Sequence, residues 1–149
     1  MKAGEFCNRE AVVCEKDATI LDVARLMRRH HIGDVIITET RDDQRVAVGI
    51  ITDRDIVVEL LAEEVDLDAV TVGDVMSFEL LAVDEDDDLF SAIKLMRNRG
   101  IRRLPVVNKQ GGLAGILVVD DLIELLTEQL NDLVQLMANQ QAREAERRV

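Results

Sequence analysis

The chain has 149 residues and a formal net charge of −12, from 18 Lys+Arg against 30 Asp+Glu. It is 48% hydrophobic but only 2% aromatic, three Phe with no Trp or Tyr. The apolar fraction is too high for a disordered acidic tail, and the charge repels nucleic-acid phosphates and anionic lipid surfaces. The scarcity of aromatics removes the stacking platform used by single-strand binders.

Met1 to Glu10 has no apolar stretch after Lys2, so no signal peptide is expected. The longest apolar run, Leu113 to Val119, is far short of the roughly 20 residues of a membrane helix. Cys7 and Cys14 have no CxxC or Cys/His companions, so neither a zinc site nor any other metal site is expected. A reducing cytoplasm is the simplest setting.

Sliding the chain against itself by 69 superposes Phe6-Cys7-Asn8 on Val75-Met76-Ser77 and Leu26-Met27-Arg28 on Leu95-Met96-Arg97. Val35-Ile36-Ile37 likewise meets Leu104-Pro105-Val106. After a turn the offset is 66, and Gly49-Ile50 meets Gly115-Ile116 while Asp55 meets Asp121. The chain is therefore a tandem duplication: repeat one over 6–64, a linker over 65–74, repeat two over 75–130 and a helical extension over 131–149.

Each copy reads as strand, helix, strand, turn, strand, helix. A short strand (Val12–Cys14; Leu81–Val83) precedes a helix capped at Thr19 or Asp88. Ile20, Val23, Ala24 and Met27 form that helix's apolar stripe, as do Leu89, Ala92, Ile93 and Met96. Two apolar strands follow, Val35–Thr38 and Val46–Ile51, or Leu104–Val107 and Leu113–Val118, and their continuity suits burial on both faces. Polar turns at Arg41–Gln44 and Asn108–Gly112 separate them. A last helix begins near Asp53 or Val119. The expected fold is α/β, two β-α-β-β-α halves packed about a pseudo-two-fold axis, with one cleft assignable to each copy.

Gly49-Ile50-Ile51-Thr52-Asp53-Arg54-Asp55 resembles the string that closes a CBS domain. Arg103-Leu104-Pro105-Val106-Val107 resembles that family's middle-strand motif, and Val75-Met76-Ser77 the segment that opens a copy. The resemblance runs from about Phe6 to about Gln129 and implies a tandem CBS pair. Such a pair implies a regulatory sensor, not an enzyme, that holds AMP, ADP, ATP or S-adenosylmethionine between its repeats and dimerises.

A carboxylate can accept both hydrogen bonds of a ribose cis-diol, which makes Asp55 and Asp121 candidates. Thr52 and Asp55 also make a capping box, and acids suit a first helical turn in any case. Arg102 and Arg103 are candidate phosphate contacts, while Arg25, Arg28 and Arg97 suit a helix C-terminus. The resemblance adds Ile37, Pro105 and Val118 as cleft residues. Asp34 stands where the second copy has Arg103, so a phosphate in the first cleft would need Mg²⁺ or a borrowed Arg. The second cleft is thus expected to prefer phosphorylated ligands, and the first a less anionic one.

No catalytic constellation is apparent, and Asp84–Asp88 reads as helix-start acids more readily than as a metal site. From Val119 to about Ala145 no Gly or Pro interrupts a stripe of Leu122, Leu126, Leu130, Leu133 and Met137, which needs a partner: a second chain in a homodimer, or its own domain. Gln140 to Val149 is expected to fray. A regulated protein partner is a further expectation, and the alternative to a sensor is a docking dimer with vestigial clefts.

Overall fold

The computed structural model describes residues 1–78 and 80–148. Two three-stranded sheets carry the fold, ordered β1-β2-β3 (Val13–Cys14, Asp34–Arg41, Gln44–Thr52) and β4-β5-β6 (Val83–Asp84, Arg103–Val107, Leu113–Val118). In each, the first pair is parallel and the second antiparallel. The antiparallel registers shift at Ile37/Thr38 and at Val106/Val107, equivalent places in the two copies.

The helix after each short strand forms as its stripe requires. In α2 (Ile20–His30) the Thr19 hydroxyl accepts from the Asp22 N–H, and Ile20, Val23 and Met27 are buried under the first sheet. In α5 (Leu89–Arg99) the Asp88 carboxylate caps the Ser91 N–H, and Leu89, Ala92 and Met96 are buried under the second. Each large apolar side chain so placed contributes about 1.5–3 kcal/mol. Both helices end on a left-handed residue, His31 (φ 54°) and Gly100 (φ 64°).

The hairpin between β2 and β3 turns at Asp42 and Asp43, both with positive φ. Two such residues give the turn the handedness that continues the strand twist. This tight turn lets β2 extend to Arg41, past the Thr38 end expected from the apolar run.

The segment that opens each copy packs on the other copy. Helix α1 (Ala3–Phe6) is bound through Ala3 N–H to Asp87 O and Gly4 N–H to Glu85 O. Helix α4 (Val72–Val75) is bound through Val72 N–H to Ala18 O and Gly73 N–H to Lys16 O. Ala3 thus lies in the second core, and Val72 and Met76 in the first. Asn8 bridges to Ile116 and Ser77 to Ile50 in symmetric fashion, so each opening segment packs across the boundary between the copies. The exchange explains a glycine pair. A Cβ on Gly115 would lie 2.7 Å from Asn8 O, and one on Gly49 would lie 2.9 Å from Ser77 O.

Between the halves, Ile36, Ile116 and Val118 form a small core flanked by Ala11, Val13, Ala47 and Leu113. This is the expected burial of sheet against sheet, with β3 meeting β6.

The last helices differ. In copy one, α3 (Asp53–Asp55) passes into a π-helical stretch, Ile56–Leu61. In copy two, α6 runs unbroken over Val119–Arg147. Leu122 is buried in the domain, so it leaves the expected stripe, and Ile123, 58% exposed, takes its place. The segment expected to fray is helical to Arg147, supported by a Gln140–Glu144 hydrogen bond one turn apart; Val149 lies outside the described residues. No described helix is long and apolar enough to cross a membrane.

Candidate functional site

The two copies approach each other where strands β2 and β5 begin and helices α3 and α6 start. The two strand-to-helix corners are tied alike. Asp53 N–H donates to Gly33 O at 2.8 Å, and Val119 N–H donates to Arg102 O at 2.9 Å. These ties fix the backbone just before β2 and β5, whose first residues are Asp34 and Arg103.

Arg103 Nε donates to Asp34 Oδ1 at 2.5 Å, and both side chains are about four-fifths buried. Asp34 of the first copy is thus paired with Arg103 of the second. Burial pushes the Asp34 carboxyl above the ordinary carboxylate range, and the neighbouring Arg103 guanidinium opposes that shift without cancelling it.

The pair lies in an open recess of about 660 Å³ that also holds Thr52, Arg54, Arg102 and Asp120. Arg102 pairs with Asp120 at 2.8 Å, both well exposed. Three acids (Asp34, Asp53, Asp120) face three Arg (Arg54, Arg102, Arg103), so the recess is locally neutral in a chain of net charge −12. An anion there meets donors without the repulsion of the surrounding surface.

Of the residues singled out from sequence, Thr52, Arg102 and Arg103 line this recess together. Asp55 stands one turn further on. Its carboxylate accepts from Thr52 N–H at 3.0 Å while the Thr52 hydroxyl accepts from Asp55 N–H at 3.1 Å. The capping-box role is thus realised, and ribose binding at Asp55 would compete with it. Asp121 is exposed in the first turn of α6. Val118 caps that helix with no side-chain bond and is buried between the halves, so the second copy lacks a Thr52-like hydroxyl. Ile37 and Pro105 are buried, Ile37 in the first core, and neither lines the recess. Arg54 was not among the sequence candidates. Its one signal was a basic residue inside the Thr52–Asp55 string.

The acidic run is occupied by local work. Asp84 accepts from Asp86 N–H, Asp87 accepts from Asp84 N–H, and Asp86 pairs with Lys2 and Lys109. Among the described residues no group of acids, Cys or His could hold a metal ion.

The CBS domain family model matches residues 3–62 and 72–128. An uncharacterized protein of Methanopyrus kandleri is 35% identical over 125 residues, which is 84% of this chain and 62% of that protein. The chain thus spans under two thirds of that relative's length. Among solved structures, the CBS domain pair of protein MJ0100 in complex with 5-methylthioadenosine and S-adenosylmethionine aligns with a TM-score of 0.72 at 21% identity. That alignment covers 87% of this chain and 98% of the other. CBSX2 in complex with AMP aligns with a TM-score of 0.71 at 23% identity, over 85% of this chain and 96% of the other. The duplicated halves, with a Gly-to-Asp string at each corner, agree with the two matched ranges, and the chain belongs to the CBS domain family as a tandem pair.

Proposed function

We propose that the chain is a non-catalytic regulatory module that binds an adenosine-containing ligand, AMP, ADP, ATP or S-adenosylmethionine, between its two repeats. The observation that carries this reading is the Asp34–Arg103 pair inside the inter-repeat recess. A phosphate engaging Arg103 must compete with Asp34, and Asp34 belongs to the opposite repeat. Ligand binding is thereby coupled to a contact that joins the halves, which is what differential affinity for two arrangements requires. Asp121 and Asp55 would take the ribose hydroxyls, with Arg102 beside Arg103 at the phosphates and Mg²⁺ offsetting Asp34 where the ligand is a polyphosphate. The adenine would lie against aliphatic side chains near Ile37, Pro105 and Val118 once the halves shift. The ligands named for the MJ0100 pair and for CBSX2 support the adenosyl class.

The module acts in the cytoplasm as a homodimer, in energy sensing or a related response, by altering its hold on a protein partner. Exposed Val57, Leu61, Ile123 and Leu126 support self-association. The second reading is a docking dimer with vestigial clefts, favoured by the engagement of Asp55 in its capping box. Thermal unfolding with and without each ligand, with and without Mg²⁺, separates the two. A ligand at 100 times its Kd adds about 2.7 kcal/mol of stability. No shift with any of them supports the docking dimer.

A further inference from the structure

Helix α6 spans 29 residues, Val119–Arg147, a rod of about 44 Å at about 1.5 Å per residue. Only Leu122 is buried in the domain, and every described residue from Leu126 onward is exposed. Ile123, Leu126, Leu130, Leu133 and Met137 are 58%, 49%, 63%, 59% and 62% exposed. Their spacing is 3-4-3-4, the alternation that places side chains along the seam of two coiled helices. Val134 and Leu136, also exposed, widen the seam.

The charges on this rod are unevenly distributed. Asp120, Asp121, Glu124, Glu128 and Asp132 occupy its first half, with no base before Arg143. Arg143, Arg147 and Arg148 stand at its end with Glu144 and Glu146 among them, a net charge of +1 against −5 at the start. Two such helices side by side in parallel would set five acids against the same five acids. Antiparallel, they bring the net-positive end of each, with Arg143 leading, beside the acidic start of the other and oppose the helix dipoles favourably.

We propose that α6 pairs with α6 of a second copy as an antiparallel two-helix coil. Leu130 packs against Leu133 of the partner subunit, and Leu126 against the partner's Met137. The same register brings Arg143 level with the partner's Asp120. The proposal rests on the homodimer reading, and the partner's Arg143 would share Asp120 with Arg102 at the edge of the recess.

Two experiments on the full chain test it. In sedimentation velocity the wild type should be a dimer at tens of micromolar, and Leu130→Asp with Leu133→Asp should be a monomer with an unchanged circular dichroism spectrum. Arg143→Glu, which reverses both symmetry-related approaches of Arg143 to Asp120, should weaken the dimer about tenfold at low salt. If the leucine variant remains a dimer, the helix pairing is overturned and the homodimer reading survives through another face. A wild type that is monomeric throughout overturns both. For orientation, separately reduced Leu126→Cys and Met137→Cys chains are mixed and oxidised, and peptide mass spectrometry distinguishes the new bond from Cys7 and Cys14. A mixed disulfide joining positions 126 and 137 is expected. Disulfides joining only like variants, 126 to 126 and 137 to 137, indicate a parallel coil and overturn the proposal.

Discussion

Arg103 Nε donates to Asp34 Oδ1 across 2.5 Å, and the two residues hold equivalent positions in the two repeats. The duplication has thus placed opposite charges at one point of the pseudo-axis. Removing the carboxylate leaves a largely buried guanidinium unpaired, so Asp34→Ala should lose about 1–3 kcal/mol in urea unfolding. It should also tighten AMP or ATP binding in calorimetry, because Arg103 is released to the phosphate. Arg103→Ala should weaken that binding. The sign of the pH effect follows from the raised Asp34 carboxyl. A carboxyl with a folded pKa above its unfolded value contributes stability that is full below about pH 3.9 and is lost as pH rises through the folded pKa. Ionised Asp34 is therefore a costly contact at pH 7, and Asp34→Asn, which keeps an acceptor for Arg103, should stay within about 1 kcal/mol of wild type.

His31 adopts φ 54° at the end of α2, where the second repeat has Gly100 at φ 64°. A side chain in the left-handed region costs about 1–2 kcal/mol, part of which the greater freedom of unfolded glycine offsets. His31→Gly should raise stability by up to about 1 kcal/mol, and Gly100→Ala should lower it by about 1 kcal/mol. Chemical denaturation of the two variants measures both. A destabilised His31→Gly would point to a contact of the imidazole that outweighs the backbone gain.

Gly115 faces the incoming backbone of Asn8 and the sulfur of Cys7, each 2.7 Å from where a Cβ would stand. Gly115→Ala should cost about 1–3 kcal/mol and selectively loosen α1 from the second repeat. Hydrogen exchange at the Asn8 amide, which donates to Ile116 O, should quicken more than exchange at Ser77, its equivalent on the first repeat.

Burial pushes the Cys14 thiol up to about 11 and raises that of Cys7 as well. The thiolate is the reactive form, so alkylation of Cys14 at pH 8 should be at least tenfold slower in the folded protein than in urea. Its rate should climb about tenfold per pH unit until near 11. Because the folded value exceeds the unfolded one of about 8.5, the stability associated with Cys14 is present at neutral pH and is lost as pH rises through 11.

Much of this molecule was legible as sequence because its signals are local and occur twice. The stripe Ile20, Val23, Met27 requires a helix by spacing alone, and Leu89, Ala92, Met96 repeats it 69 residues later. The apolar runs of β2 and β6 announced strands covered on both faces, as Val35–Thr38 and Gly115–Val118 are. The Gly-to-Asp string at Gly49–Asp55 pointed to the family, and its partial copy at Gly115–Asp121 confirmed the register of the duplication.

What required the tertiary structure was which groups meet across the axis. A strand's apolar alternation is written in neighbouring residues, but a contact between positions 34 and 103 depends on how two halves dock, and no local pattern encodes that. The same holds for the exchange of α1 and α4, since a short segment of four residues has too little buried surface to declare its partner. It holds for Leu122 too: periodicity puts it on the stripe of α6, and the packing of that helix's first turn on the second core buries it and leaves Ile123 outside. Composition determined the net charge of −12 and the scarcity of aromatics, which together disfavour contact with nucleic acid phosphates. Docking of the halves determined that Arg103, one of the few cations near the recess, is already held by Asp34 across the pseudo-axis.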